Sequence, residues 1–463
     1  MGCKRGVIIL KKFRIQPVQL IPLSFLVTII IGTLFLMLPI STADGESTGV
    51  LTAIFTATTS VCVTGLVVVD TFSHWSFFGQ FIIMILAQIG GLGVVSVASM
   101  IMIMGKKKFT FGEHKLLGDS LNVEKNKELL SFLKRIFTGV FIVEGIGTCL
   151  YAVKFIPLLG LYRGIWASVF HSVSAFCNAG MDVVGPNSMI DFQSSGYLMC
   201  LTMILIILGG IGFVVWFDVI DGIKDGIRKH FSPLRILKRF PVHTKLVLLM
   251  TVSLIILGTV VIFLAEYDNP LTIGNMSLGN KILNSLFQSV TFRTAGFASV
   301  PQDGLTDISC LIGYILMFIG GSPVGTAGGI KTVTVFLVIM NAVSYIRGKK
   351  ENVIFHQRVS EELMRKAAAV TCVSIFAVCL MTILLMFSQS IPLNDALYEV
   401  ISALGTVGLS KGLTPTLNME SRIIIIIAMY LGRIGPISMA IFFTKEGNTK
   451  NKIKHSEGTF FVG

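Results

Sequence analysis

Four short sequence strings, each ending in glycine, contain the residues of this chain that are most suited by type and spacing to a functional site. They are FTATTSVCVTG at 55–65, FHSVSAFCNAG at 170–180, LFQSVTFRTAG at 286–296 and YEVISALGTVG at 398–408. The final glycines are 115, 116 and 112 residues apart, and each has a small residue five positions before it and a large apolar residue four positions before it. Unrelated loops would not share this period, which indicates a fourfold internal repeat.

Strings of this kind are suited to holding a dehydrated cation. A cation that enters a narrow pore loses water and needs other oxygens, which rings of backbone carbonyls supply. Glycine adopts backbone conformations that residues with a Cβ avoid, and the last string ends in Thr-Val-Gly, the core of the potassium-channel signature. We therefore predict a selectivity filter whose backbone carbonyls bind potassium, formed by Val63, Thr64, Gly65, Asn178, Ala179, Gly180, Thr294, Ala295, Gly296, Thr406, Val407 and Gly408.

Each string lies at the end of a short amphipathic segment, 49–61, 164–176, 280–292 or 393–404. These segments are too short and too polar to cross a membrane, and irregular chain at membrane depth is tolerated only where it is buried in protein or lines a wet cavity. They are therefore predicted to be the helices of re-entrant pore loops. The apolar runs that flank them are 17–40 and 77–104, 136–157 and 197–217, 246–266 and 310–343, and 367–387 and 422–443.

The composition is that of a membrane protein. Hydrophobic residues make up 53% of the chain and charged residues only 14%, against about 45–50% and about 25% in soluble proteins. The longest apolar runs have the roughly 20 residues that a helix needs to cross a bilayer. Soluble enzymes, disordered scaffolds and secreted disulfide-rich modules are therefore excluded.

The net charge of +13 is unevenly distributed along the chain. Five polar stretches hold 30 of the 38 lysines and arginines and 12 of the 25 acidic residues, so they carry +18 and the remainder carries −5. This is the positive-inside pattern of a multi-pass membrane protein. It argues against nucleic acid as a partner, and it predicts a plasma (inner) membrane protein with cytoplasmic N- and C-termini.

The basic stretches indicate that all four repeats have the same orientation across the membrane. The repeats are therefore predicted to be parallel and related by an axis along the membrane normal. The predicted fold is an all-α integral membrane protein with four helix–pore-loop–helix repeats around one central pore. Its predicted parts are a basic N-terminus (1–16), repeat 1 (17–104), a loop (105–135), repeat 2 (136–217), a loop (218–245), repeat 3 (246–343), a loop (344–366), repeat 4 (367–443) and a tail (444–463).

The last apolar run of the third repeat contains a helix-breaking segment. Seven of the ten residues in GGSPVGTAGG at 320–329 are Gly, Pro or Ser, which do not sustain a helix. We predict a loop beneath the filter here. The other repeats have weaker glycine clusters at similar distances after the filter, and a packing kink suffices to explain them.

Four charged residues lie close to these features. Arg433 is in the middle of an apolar run, where a charge usually faces a cavity or a partner; the alternative is an ion pair with Glu144. Lys331 follows the break and either adds to a barrier or extends toward the cytoplasm. Arg293 is predicted to lie behind the filter and to brace it through its hydrogen-bond donors, and Asp182 to attract cations to the outer mouth.

The strings and their layout resemble the Trk/Ktr/HKT superfamily of potassium transporters over residues 17–443, most closely the Ktr membrane subunit. In that family, glycine at all four filter positions accompanies potassium selectivity, and an intramembrane gate lies beside a pore-facing arginine. The resemblance implies a homodimer on a cytoplasmic RCK-type nucleotide-binding ring. The implied gate residues are Gly320, Gly321, Ser322, Pro323, Gly325, Gly328, Gly329, Lys331 and Arg433.

The chain has no convincing nucleotide-binding motif of its own. GTAGGIKT around Lys331 lacks the adjacent Gly-Lys and the preceding strand of a phosphate-binding loop. We expect no covalently bound cofactor, and regulation by nucleotide would require a separate subunit. The basic loops offer a surface for such a subunit, but the same residues also favour anionic lipid headgroups.

The predicted function is potassium uptake by a protein that is not an enzyme. One alternative is a sodium-selective or weakly selective cation transporter of the same fold. A more remote alternative is an intramembrane serine protease, in which Ser410 of the GxSxG pattern at 408–412 pairs with His171.

Overall fold

The computed structural model describes residues 17–104, 126–349 and 351–435. These residues form α-helices and connecting turns, with one antiparallel pair of two-residue strands, Val353–Ile354 and Gln357–Arg358. The predicted N-terminus at 1–16, the loop residues 105–125 and the tail at 444–463 lie outside the described residues.

The helices follow the same order four times along the chain. In each repeat a long first helix precedes a short pore helix, and a last helix returns from it. The first helices are Pro17–Leu36, Asn126–Leu159, Val242–Glu266 and Glu361–Ser388; the pore helices are Val50–Val61, Leu161–Cys177, Leu278–Thr291 and Leu393–Gly405; the last helices are Phe77–Leu92, Gly196–Gly210, Asp307–Phe318 and Met419–Ile434.

Several of these helices have the length and composition of membrane spans. In the part of the chain that the structure describes, three helices qualify alone: Leu130–Leu159, Val242–Glu266 and Glu361–Ser388. Two bent pairs, one in repeat 1 and one in repeat 2, qualify when each pair is counted as one span. The protein is therefore a multi-pass membrane protein of the all-α class.

The last helices of repeats 1 and 2 turn sharply at a glycine. Phe77–Leu92 meets Val94–Met100 at 97° across Gly93, and Gly196–Gly210 meets Phe213–Arg228 at 101° near Gly212. Both glycines have positive φ, +86° and +90°, a conformation that does not continue a right-handed helix. These turns are far stronger than the packing kinks expected from the sequence. In repeat 3 the break is an irregular segment, 319–331, before the helix Thr332–Ile346.

The pore helices lie in the core, and glycines on the last helices pack against their C-terminal ends. Each glycine string has a large apolar residue four positions before its final glycine. A Cβ placed on the glycine of the last helix would overlap the carbonyl oxygen of that residue. This close packing of small residues against backbone is typical of membrane helices. The contacts are Gly90 with Val61, Gly209 with Phe176 and Gly432 with Leu404.

We expect Gly432→Ala to lower the thermal midpoint of the detergent-solubilised protein, because the added Cβ overlaps the carbonyl oxygen of Leu404. Overpacking of this kind costs about 1–3 kcal/mol. Gly145→Ala is the matched control, because no atom lies within 4 Å of its added Cβ and alanine favours a helix over glycine by about 1 kcal/mol. Equal midpoints for the two variants would contradict this packing.

Candidate functional site

The four glycine strings meet in a closed ring in chain order. A Cβ placed on any of the four final glycines would lie 2.7 Å or less from a carbonyl oxygen of the next string. That oxygen belongs to the residue just before the next glycine, and the fourth string contacts the first. The contacts run from Gly65 to Ala179, from Gly180 to Ala295, from Gly296 to Val407 and from Gly408 to Thr64.

The backbone has the same unusual conformation in all four strings. The final glycines have φ between +67° and +95°, and the residues two positions earlier have φ between +50° and +69°. Left-handed backbone costs a residue with a Cβ about 1–2 kcal/mol, and it is rarest for β-branched side chains. Three of the four residues are β-branched, so the surrounding structure must enforce this conformation. The four residues are Val63, Asn178, Thr294 and Thr406.

A hydroxyl residue six positions before the glycine ties three of the strings to their pore helices. Its backbone carbonyl accepts a hydrogen bond of 2.8 Å from the residue before the glycine. Its side-chain oxygen accepts one of 2.9–3.2 Å from the backbone N–H of the glycine or of the residue after it. Sequence reasoning missed these residues, although their shared position was a signal; they are Thr59, Ser174 and Ser402.

One face of the ring opens into a cavity of about 190 Å³ that is lined by all four glycines. Two carboxylates, those of Asp70 and Asp182, also line it. Burial raises the pKa of Asp182 to about 7, against the lowering effect of a hydrogen bond with Ser188. The negative charge of Asp182 is therefore lost as the pH falls through about 7.

The irregular segment 319–331 lies next to the ring on the side where the pore helices end. A Cβ on Gly328 would overlap the side chain of Thr406, two residues before the fourth final glycine. The segment is held by repeat 2, because the N–H groups of Ser322 and Thr326 donate to the carbonyls of Gly210 and Gly209 at 3.0 and 3.1 Å. The hydroxyl of Thr326 also donates to the carbonyl of Phe176, at 3.1 Å.

Arg433 joins this segment to two other repeats. Its guanidinium donates to the carbonyl of Thr326 at 2.5 Å and to the carbonyls of Gly90 and Gly91 at 2.5 and 3.4 Å. Lys331 lies nearby, and its ammonium donates to the carbonyl of Ala327 at 2.8 Å. A partly buried cation, whose donors are satisfied by backbone carbonyls, therefore links repeats 1, 3 and 4.

Glu144, the alternative partner of Arg433, is engaged elsewhere. Its carboxylate accepts a hydrogen bond of 3.1 Å from Gln88, and it lies 3.9 Å from the thiol of Cys177. The ion pairs in the described ranges do not include Arg433. The structure therefore does not support an ion pair between Arg433 and Glu144.

Arg293 lies behind the third string and is 8% exposed. Its backbone N–H donates to Val290, but its guanidinium forms no hydrogen bond with the residues that the structure describes, and its Nε is shielded and without a partner. The bracing predicted for Arg293 thus has no contact to support it.

The residue pair of the protease alternative is not assembled. The hydroxyl of Ser410 donates to the carboxylate of Glu399 at 2.8 Å. The ring of His171 lies among aromatic rings, at 4.8 Å from Tyr151 and 4.8 Å from Phe297. Both of its nitrogens lack a hydrogen-bond partner in the described ranges, so Ser410 has no histidine base.

Four re-entrant loops in a helical, apolar shell thus surround one central pathway, with an acid-lined cavity on one side and an irregular segment on the other. This arrangement defines a pore-containing membrane protein. The sequence model of TrkH, described as a cation transport protein, matches residues 15–453. The chain therefore belongs to the TrkH family of cation transport proteins, which are transporters rather than enzymes.

Curated relatives match the chain over its length. It is 36% identical over 455 residues to the Ktr system potassium uptake protein B of Bacillus subtilis, with 98% of each chain covered. It is 34% identical over 455 residues to the potassium/sodium uptake protein NtpJ of Enterococcus hirae, with 97% of this chain and 98% of that protein covered. The resemblance inferred from the glycine strings is therefore confirmed.

The fold is also that of a solved structure, the potassium transporter TrkH from Vibrio parahaemolyticus. The TM-score is 0.74 at 17% sequence identity, with 94% of this chain and 86% of that chain covered. The four-repeat fold predicted from the sequence is consistent with this similarity.

We expect Thr59→Val to reduce cation uptake severalfold, because the buried N–H of Gly65 loses the hydroxyl that it donates to. An unsatisfied buried donor costs about 1–3 kcal/mol. Thr59→Ser keeps the hydroxyl and should retain uptake. The measurement is rubidium-tracer uptake at matched membrane expression, and equal uptake by both variants would argue against this role.

Proposed function

We propose that the protein carries out potassium uptake through a selectivity filter formed by the four glycine strings. The observation that carries this proposal is the closed ring of glycines and carbonyl oxygens. Rings of backbone carbonyls replace the hydration shell of potassium. The name of the relative from Bacillus subtilis, a potassium uptake protein, supports the same ion.

The proposed ion path begins in the acid-lined cavity. Asp70 and Asp182 raise the local concentration of cations there. The ion then exchanges water for carbonyl oxygens in the ring, among them those of Thr64, Ala179, Ala295 and Val407. The pore-helix C-termini, each with about half a negative charge, favour a cation at that point. The hydrogen bonds that the side chains of Thr59, Ser174 and Ser402 accept from backbone N–H groups keep the carbonyls in position as the ion passes.

We propose that the segment 320–329, with Lys331 and Arg433, is the gate. Its support is the position of Gly328 beside Thr406 and the three carbonyls bound by Arg433. A guanidinium beneath the filter repels cations, and its hydrogen bonds hold the segment beneath the ring. Opening would require Arg433 to release the carbonyl of Thr326, so that the segment can move away from the pathway.

The surroundings of the pore follow from the charge distribution. We propose a plasma membrane location with both termini in the cytoplasm, as the positive-inside pattern favours. We also propose a homodimer on an RCK-type nucleotide-binding ring, with the basic loops 218–245 and 344–366 available to the ring or to anionic lipids. A relative that is named as part of a Ktr system supports a multi-subunit assembly.

A transporter of both sodium and potassium is the second candidate. The observation that favours it is the name of the Enterococcus hirae relative, a potassium/sodium uptake protein at 34% identity. The two candidates share the same ring and differ in how tightly the ring discriminates between ions.

Growth rescue of a potassium-uptake-deficient bacterium tests both candidates. We expect the wild type, expressed with its partner subunit, to restore growth at low potassium. Gly65→Ser should lower the preference for potassium over sodium, because its Cβ would lie 2.5 Å from the carbonyl of Ala179 at a φ of +94°. Gly279→Ser is the control, since its Cβ meets no atom within 4 Å.

Absence of rescue by membrane-expressed wild type would overturn potassium uptake. An unchanged ion preference in Gly65→Ser would overturn the filter assignment while leaving transport intact. Equal rubidium and sodium uptake by the wild type would establish the second candidate.

We expect Arg433→Ala to raise basal flux, because it removes both the repelling charge and the hydrogen bonds that hold the gate. Arg422→Ala is the matched control on the same helix; its guanidinium donates to the carbonyls of Leu417 and Pro415, at the opposite end of the helix. The measurement is tracer flux into proteoliposomes at equal protein content. Unchanged or lower flux in Arg433→Ala would indicate a purely structural arginine.

A further inference from the structure

A small cavity lies behind the third glycine string, and Gly210 and Gly321 border it. Its walls are mainly apolar and come from Ile206, Ile255 and Val290. Its volume of about 10 Å³ is close to the smallest that holds one water-sized particle. Two polar side chains also line it, those of Arg293 and Thr251.

The guanidinium of Arg293 is a buried cation without a counterion. It is 8% exposed, and the salt bridges of the described ranges involve other residues. A buried charge without a partner is strongly unfavourable, because desolvation is not repaid. The guanidinium offers five N–H donors and no acceptor, so the group that it lacks is an acceptor with negative charge.

Thr251 has an unpartnered hydroxyl on the same cavity. A threonine within a helix commonly donates to the carbonyl four residues earlier. In the described helices, seven other threonines do so at 2.7–3.0 Å, whereas Thr251 does not; they are Thr28, Thr33, Thr148, Thr202, Thr259, Thr371 and Thr382. The hydroxyl of Thr251 therefore remains available as a donor to a guest in the cavity.

We propose that Arg293 and Thr251 bind a monovalent halide, chloride under ordinary conditions, in this cavity. The donors around the site suit an anion, and the small space excludes an oxyanion such as sulfate. A water molecule would satisfy a donor but would leave the positive charge uncompensated.

A bound halide would also explain why the positively charged Arg293 is tolerated beside a pathway for cations. Arg293 is three residues before Gly296, and an uncompensated charge there opposes a permeating cation. A halide bound to the guanidinium of Arg293 neutralises this charge. This consequence for flux rests on the proposed function, whereas the binding site itself does not.

The direct test is crystallisation of the protein, purified without chloride, in bromide. We expect an anomalous bromide peak beside Arg293 in the wild type and in Thr259→Val, whose hydroxyl donates to Ile255 and not into the cavity. The peak should be lost in Arg293→Gln and weakened in Thr251→Val. A water molecule in place of bromide in the wild type would overturn the proposal.

Thermal midpoints in solution provide a second measurement that needs no crystal of a variant. The wild type and Thr259→Val should be more stable in chloride or bromide than in gluconate, and this difference should disappear in Arg293→Gln and shrink in Thr251→Val. The same midpoint in all three salts for the wild type would contradict the site. If Arg293→Gln does not fold, Thr251→Val carries the comparison.

Potassium uptake by proteoliposomes distinguishes failure of this proposal from failure of the proposed function. We expect uptake by the wild type to fall severalfold when gluconate replaces chloride on both sides. Bromide binding without any potassium uptake would leave the halide site standing and remove the transport proposal. Potassium uptake without bromide binding would remove the halide site and leave the transport proposal standing.

Discussion

The close approach of four backbone strings around one axis is the constraint on which the rest of the structure depends. Each final glycine faces a carbonyl oxygen of the next string so closely that a Cβ would lie 2.7 Å or less from it. The approach also requires left-handed backbone at residues such as Val63 and Thr294, which is unfavourable for side chains branched at Cβ. Hydroxyl groups on the pore helices and the packed last helices supply the stabilisation that keeps the ring closed.

The ring and the segment beneath it are coupled through backbone carbonyls rather than through ion pairs. Arg433 binds carbonyls of repeats 1 and 3, which lie close to the breaks in the helices of those repeats. A carboxylate partner would neutralise the arginine, whereas carbonyl dipoles satisfy its donors and leave its positive charge in place. In the proposed gate, the same side chain therefore both repels a cation and holds the segment that obstructs the path.

Much of the architecture was predictable because it repeats. The pore helices predicted at 280–292 and 393–404 are observed at Leu278–Thr291 and Leu393–Gly405, since amphipathic period and glycine boundaries are local signals. The turn of about a right angle at Gly93 was not predictable, because a glycine cluster in an apolar run is equally compatible with a packing contact or a bend. The partner of Arg433 was missed because a backbone carbonyl leaves no mark in sequence composition, and Glu144 was the visible acid.

The sequence by itself determined the membrane class, the fourfold repeat and the family, because hydrophobic length, charge segregation and glycine spacing are properties of the chain read in order. Tertiary structure alone decided that the strings close as a ring in chain order, that Thr59 and Ser402 hold them, and that Glu144 bonds to Gln88. It also decided that Arg293 and Thr251 share a cavity. The physical reason is that these are contacts between repeats or across turns, and their geometry depends on how whole helices pack rather than on neighbouring residues.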